Sequence, residues 1–131
     1  MATAKRWFAA FWKGPTELAA QTTFPFVYRD GDLCPGGQAK SAALLSKALG
    51  CLMQEDVLRD DVKLDPSPKW TLLTPKTLPA WANRWSNKAP AGAVPVSVYL
   101  TSGGSATELI IFTTDKGVPE VWRKGWLGLK K

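Results

Sequence analysis

The hydrophobic pattern begins with helical spacing. Trp7, Phe8, Phe11 and Trp12 fall at i, i+1, i+4 and i+5 within residues 3–13, one wide apolar face, with Thr3 placed to cap the N-terminus. Gly14-Pro15 stops this helix, and residues 16–21 predict a short second one capped by Thr16, so that the two form a helical hairpin. TFPFVY (23–28) reads as a strand from its aromatic and β-branched content, and Pro25 places it at an edge or at a strand start. Arg29-Asp30-Gly31-Asp32 reads as a turn. Helical spacing returns over 40–53 through Leu44, Leu45, Ala48, Leu49, Leu52 and Met53. Residues 57–64 suit a short helix or a strand, and 70–73 a strand. Thr77-Leu78-Pro79 opens a helix with Leu78, Trp81 and Trp85 on one face.

From Val94 the period becomes two. Val94, Val96, Val98 and Leu100 alternate with Pro95, Ser97, Tyr99 and Thr101, a Ser-Gly-Gly-Ser turn leads into 108–114, and Asp115-Lys116-Gly117 turns the chain into 118–123. These are three antiparallel strands joined by hairpins. Leu109, Ile110, Ile111 and Phe112 are apolar on both faces, so their strand is central and covered on both sides. Helices first and strands last is the order of an α+β domain with helices on one face of an antiparallel sheet. The other cover is expected from a partner, a ligand cavity, or the Trp126-Leu127 tail folded over.

Composition narrows the functional classes. A chain of 131 residues, 45% apolar and 21% charged, is one globular domain. The first residues, MATAKRWFAAFWKGP, place basic before apolar positions as a signal peptide does, but the apolar part is short and aromatic, and it reads as a folded helix. No apolar run reaches membrane-spanning length. The net charge of +6 is spread over Lys5-Arg6, Arg123-Lys124 and Lys130-Lys131, the pattern of solvated faces rather than of one nucleic-acid stripe. There is no histidine, which removes the usual zinc, copper and non-haem iron ligand sets and the Ser-His and Cys-His nucleophiles. No metal-ligating or cofactor-binding residue is assigned.

CPGGQAKS (34–41) comes nearest to a named motif. Against the phosphate-binding pattern G-x-x-x-x-G-K-[ST], Lys40 and Ser41 fit, but Cys34 and Ala39 stand where both glycines belong. Gly36-Gly37 therefore reads as a flexible turn leading into the helix. A Cys34–Cys51 disulfide meets a geometric obstacle: Cys51 lies ~18 Å along a helix begun near Ala39, and the five residues back to Cys34 span at most ~17 Å. Cys51 reads as a buried thiol. Free thiols go with a cytoplasmic location, a removed signal peptide with a periplasmic or secreted one.

The order of FWKG helix, ELAA helix, TFPFVY strand, loop, amphipathic helix and long meander resembles the nuclear transport factor two-like superfamily, which includes the ketosteroid isomerase-like proteins. The best local match is FWKGPTELAAQTTFPFVY (11–28). The resemblance implies a cone-shaped, cystatin-like architecture: N-terminal helices on a curved antiparallel sheet, a pocket between them, and homodimers through the open sheet face. Members include isomerases, hydrolase-like enzymes, small-molecule binders and proteins without catalysis. The predicted helix with Trp81 and Trp85 is an addition to that pattern.

An isomerase-like mechanism needs a carboxylate base opposite a donor such as Tyr. Asp30, Asp32, Asp56, Asp60, Asp61, Asp65 and Asp115 are present, all in predicted turns or amphipathic segments where solvation or local hydrogen bonding accounts for them. No catalytic residue is assigned. The candidate ligand-contacting set is Tyr28, Tyr99, Phe26, Trp81 and Trp122; Tyr28 and Tyr99 combine a strand position with a polar tip on an apolar body. Core packing is the alternative for Trp7, Trp12, Trp81 and Trp85, and Trp122 with Trp126 interleaves with Arg123-Lys124. The expected function is a non-catalytic domain binding a small apolar ligand or a protein. A cofactor-independent isomerase or hydrolase-like enzyme, and nucleic-acid binding through the basic surface, are the alternatives.

Overall fold

A computed structural model describes residues 1–31, 36–49, 68–102 and 105–127. Two helices lead, α1 (Ala2–Lys13) and α2 (Pro15–Ala20), followed by β1 (Thr22–Asp30), β2 (Gly37–Ala39) and α3 (Leu45–Ala48). Then come β3 (Lys69–Leu72), a 3-10 segment (Ala80–Lys88), β4 (Val94–Ser102), β5 (Ser105–Thr114) and β6 (Gly117–Leu127). The described strands form one curved, unclosed sheet in the order β2-β1-β6-β5-β4-β3 with the N-terminal helices packed on it. This α+β layout agrees with the expected one. None of the described helices is long and apolar enough to cross a membrane.

The meander is as the period of two predicts. β4 pairs with β5 from Val94↔Thr113 to Ser102↔Ser105, and β5 pairs with β6 from Ser105↔Leu127 to Thr114↔Gly117. Gly117 sits at φ +134, and a Cβ there would lie 2.8 Å from the Gln21 carbonyl oxygen, so this turn requires glycine.

β1 departs from expectation in three ways. It is an interior strand, antiparallel to β2 but parallel to β6, so the sheet is mixed. Pro25 is tolerated there because it falls in the register break between Thr22 and Val27, outside the regular ladder. Arg29 and Asp30 belong to the strand rather than to a turn: pairing with Trp122 and Arg123 carries β1 two residues past its apolar run.

Over its described part, 40–49, the helix expected over 40–53 is also replaced. Residues 37–39 are taken into β2, Ser41 is extended, 42–44 form a 3-10 turn and α3 has four residues. Of its apolar stripe, Leu45, Ala48 and Leu49 are buried, whereas Leu44 is 43% exposed. Gly36-Gly37 is a close approach and not a flexible turn: a Cβ on Gly36 would meet the Tyr28 carbonyl oxygen at 2.5 Å. The caps differ as well. α1 starts at Ala2, so Thr3 lies within it and accepts a hydrogen bond from Arg6 Nη2 at 3.2 Å, and α2 starts on Pro15, one residue before Thr16. Residues 50–67, and with them Cys51, Leu52, Met53, Asp56, Asp60, Asp61 and Asp65, lie outside the described residues, as do Asp32, Cys34, Gly103, Gly104 and Lys130-Lys131.

Two apolar layers enclose the sheet. On the helix face Trp7, Phe8 and Leu18 pack over Phe26, Val96, Val98, Leu109, Ile111 and Val121. Trp7 is fully buried, and its Nε1 donates to Thr22 Oγ1 at 3.0 Å, which donates in turn to the Leu18 carbonyl at 2.7 Å. On the opposite face Ile110, Phe112 and Trp122 are covered by the 3-10 segment through Ala82, Trp81 and Trp85. The second cover is thus the chain's own added helical segment. Trp126 and Leu127 instead continue β6.

Candidate functional site

Alternation along the paired strands sorts the candidates onto opposite faces. Phe26, Tyr28 and Asp30 of β1 share the helix face with Val121 and Arg123, while Arg29, Glu120, Trp122, Glu108 and Tyr99 share the other. The expected ligand set is therefore divided. Phe26 is fully buried against Trp7, with ring centroids 6.3 Å apart, and Tyr28 is 1% exposed. Trp122 is fully buried between Phe112 and Trp85, at 4.5 and 5.7 Å, and the half-buried Trp81 lies beyond Trp85. Tyr99 is half-buried, paired with Glu108 and Lys69 across the sheet.

Among the described residues three acidic groups are buried in the sheet, and each has internal partners. Asp30 Oδ1 and Oδ2 accept Arg123 Nη1 at 3.1 and 3.0 Å, and Oδ2 also accepts the Tyr28 hydroxyl at 2.5 Å. The side chains of Arg123 and Asp30 are 2% and 0% exposed, a buried ion pair closed by a phenol. On the other face Glu108 accepts Ser97 Oγ at 2.6 Å and Trp81 Nε1 at 3.0 Å. Glu120 Oε2 accepts Arg29 Nε at 2.9 Å and the Trp122 indole N–H.

The two glutamates were missed as candidates, and the signal for one was present. Glu108, Ile110 and Phe112 are alternate positions on a strand expected to be covered on both faces, so Glu108 had to be buried and partnered. Glu120 carries no comparable signal, because Val-Pro-Glu-Val reads equally well with Glu exposed. Asp115 lies exposed in the β5–β6 turn.

The open site lies where the second cover ends. The 3-10 segment crosses β5 and β6, and beyond Trp85 the short β2 and its neighbour β1 border a cleft of about 410 Å³. Its lining includes Val27, Tyr28, Arg29, Asp30, Gln38 and Trp85, with Gly36 and Gly37 at the base of the β1–β2 pair. Of the expected ligand residues only Tyr28 lines it. Gly36, Gly37 and Gln38 of CPGGQAKS do so too, through tight β1–β2 pairing rather than as a phosphate loop. Among the described residues no group of three His, Cys, Asp or Glu side chains gathers to hold a metal ion.

No protein-family model and no curated protein matches the sequence. Among solved structures the chain is similar to a candidate ketosteroid isomerase from Kribbella flavida DSM 17836, with 18% identity and a TM-score of 0.48, over 99% of this chain and 79% of that one.

Proposed function

We propose that this protein is a non-catalytic binding domain whose ligand occupies the cleft between β1–β2 and Trp85. One contrast carries the reading: the buried carboxylates Asp30, Glu108 and Glu120 are committed to internal donors, while the cleft that Asp30 borders is open. At about 410 Å³ it falls within the range of small-ligand pockets, roughly 300–1,000 Å³. Its mixture of Arg29, Gln38 and Trp85 suits a ligand with both a polar and an apolar part. The test is to fill it. Gln38 is exposed on the edge strand, so Gln38→Trp blocks the cleft at little cost to folding. Small polar compounds that raise the melting temperature of the wild type are expected to lose that effect in the variant. Compounds stabilising both proteins equally bind elsewhere and sink the proposal.

A cofactor-independent isomerase is the second reading. Tyr28 and Asp30 both line the cleft and share a 2.5 Å hydrogen bond. A base must be reachable by substrate, and the Asp30 side chain is fully buried in its ion pair with Arg123, which favours the binding domain. Protein-catalysed deuterium exchange into an enolisable ketone, lost in Tyr28→Phe, would reverse that preference. Exchange no faster than in buffer removes the enzyme reading.

A further inference from the structure

The rim of the cleft carries a charge arrangement that points to a ligand class; the inference rests on reading the cleft as the binding site. Arg84 of the 3-10 segment and Lys124 of β6 converge on Gly31, next to the lining residues Trp85 and Asp30. A Cβ built on Gly31 would lie 3.2 Å from Arg84 Nη2 and 3.4 Å from Lys124 Cδ. Neither cation has a carboxylate partner among the described residues. Arg84 is held by its guanidinium, 4.5 Å from the Trp85 ring centroid, and Lys124 Nζ donates to the Gly31 carbonyl at 3.3 Å. Among the described residues the buried acids of the sheet are engaged: Asp30 by Arg123 and Tyr28, Glu120 by Arg29 and Trp122, and Glu108, opposite Lys124 on β5, by Ser97 and Trp81.

Two like charges drawn to the same residue, neither ion-paired among the described residues, repel each other, and an anion seated between them converts that repulsion into attraction. Stacking on Trp85 holds the Arg84 fork in place, so less rotamer entropy is lost when it takes up two oxygens of a carboxylate or phosphate. Val27 and Trp85 supply apolar surface beside this position.

We propose that the cleft binds a small organic oxyanion, a carboxylate or a phosphate monoester, with its head group between Arg84 and Lys124 and its body along Val27 and Trp85. The experiment titrates isotope-labelled protein with phenyl phosphate, benzoate and, as the neutral counterpart, benzyl alcohol, following backbone amides and the tryptophan indole N–H groups by NMR. Phenyl phosphate or benzoate is expected to shift Gly31, Gly36, Gly37 and the Trp85 indole, and the tighter of the two identifies the head group. Arg84→Gln and Lys124→Gln should each weaken the anion roughly tenfold, the size of one charge-assisted hydrogen bond, and leave benzyl alcohol unchanged. Unshifted resonances elsewhere report that the variants are folded. If alcohol and anion bind equally, and Gln38→Trp abolishes both, the charge assignment falls while the cleft remains a binding site. Shifts scattered over the surface and unaltered by Gln38→Trp, or no shift with any probe at millimolar concentration, overturn both.

Discussion

Asp30 shows how a residue's role depends on what pairs with it. Its neighbours Gly31 and Asp32 are turn formers, yet it ends an interior strand because β6 lies alongside and places Arg123 opposite. The pair is nearly solvent-free, so its removal is asymmetric. Arg123→Met leaves a buried carboxylate unpaired and is expected to cost about 3–5 kcal/mol in urea unfolding. Asp30→Leu combined with Arg123→Met removes both charges and should recover most of that loss. Equal costs for the single and double variants would show that the ion pair is not the source. Gly36 makes a second case. Gly36→Ala places a Cβ 2.5 Å from the Tyr28 carbonyl oxygen, which the β1–β2 pair cannot accept without separating. A lowered melting temperature and faster amide exchange in residues 37–39 are the expected outcome, and unchanged exchange would argue that the pair has slack.

Among elements, the 3-10 segment does the most to distinguish this chain from a bare helices-on-sheet layout. Its Trp spacing was legible as one apolar face, but a hydrophobic face does not say which surface it covers. Only the folded chain lays it over Ile110, Phe112 and Trp122, the surface expected to be covered by a partner, a ligand cavity or the Trp126-Leu127 tail. Trp85 both covers Trp122 and walls the cleft, so Trp85→Ala should lower stability and ligand affinity together. It is half-buried, so the stability loss should fall below the roughly 3–5 kcal/mol of a fully buried Trp. Trp81→Phe tests the other end: it keeps an aromatic ring, though a smaller one, and removes the donor to Glu108, at a cost of about 1.5–3 kcal/mol. A Trp81→Phe variant as stable as wild type would mean that Glu108 finds another donor.

At the scale of the molecule, the sheet order sets a gradient of protection. β6 is paired on both sides, by β1 and β5, and both faces of the β5–β6 pair are covered, whereas β2 and β3 are three- and four-residue edge strands. Amides of β5, β6 and the adjoining part of β1 should therefore exchange by global opening and be slowest, with β2 and β3 fastest. Slow exchange in β3 comparable with β6 would contradict this order. The cleft lies toward the β2 edge, the less protected side, where local adjustment around a ligand costs least.

The sequence by itself determined what depends on near neighbours along the chain. Side-chain period marked the aromatic helix, the central double-sided β5, the two hairpins and the apolar face of the Trp81–Trp85 segment, because local burial patterns repeat every two residues or every 3.6. It could not determine what depends on partners far away in the chain. The parallel pairing of β1 with β6, the pairing of β1 with β2, the Asp30–Arg123 pair and the meeting of Arg84 with Lys124 at Gly31 each join segments distant in sequence. The tertiary structure alone decided these, because the free energy that selects them comes from packing and charge compensation between segments and has no trace in the local sequence.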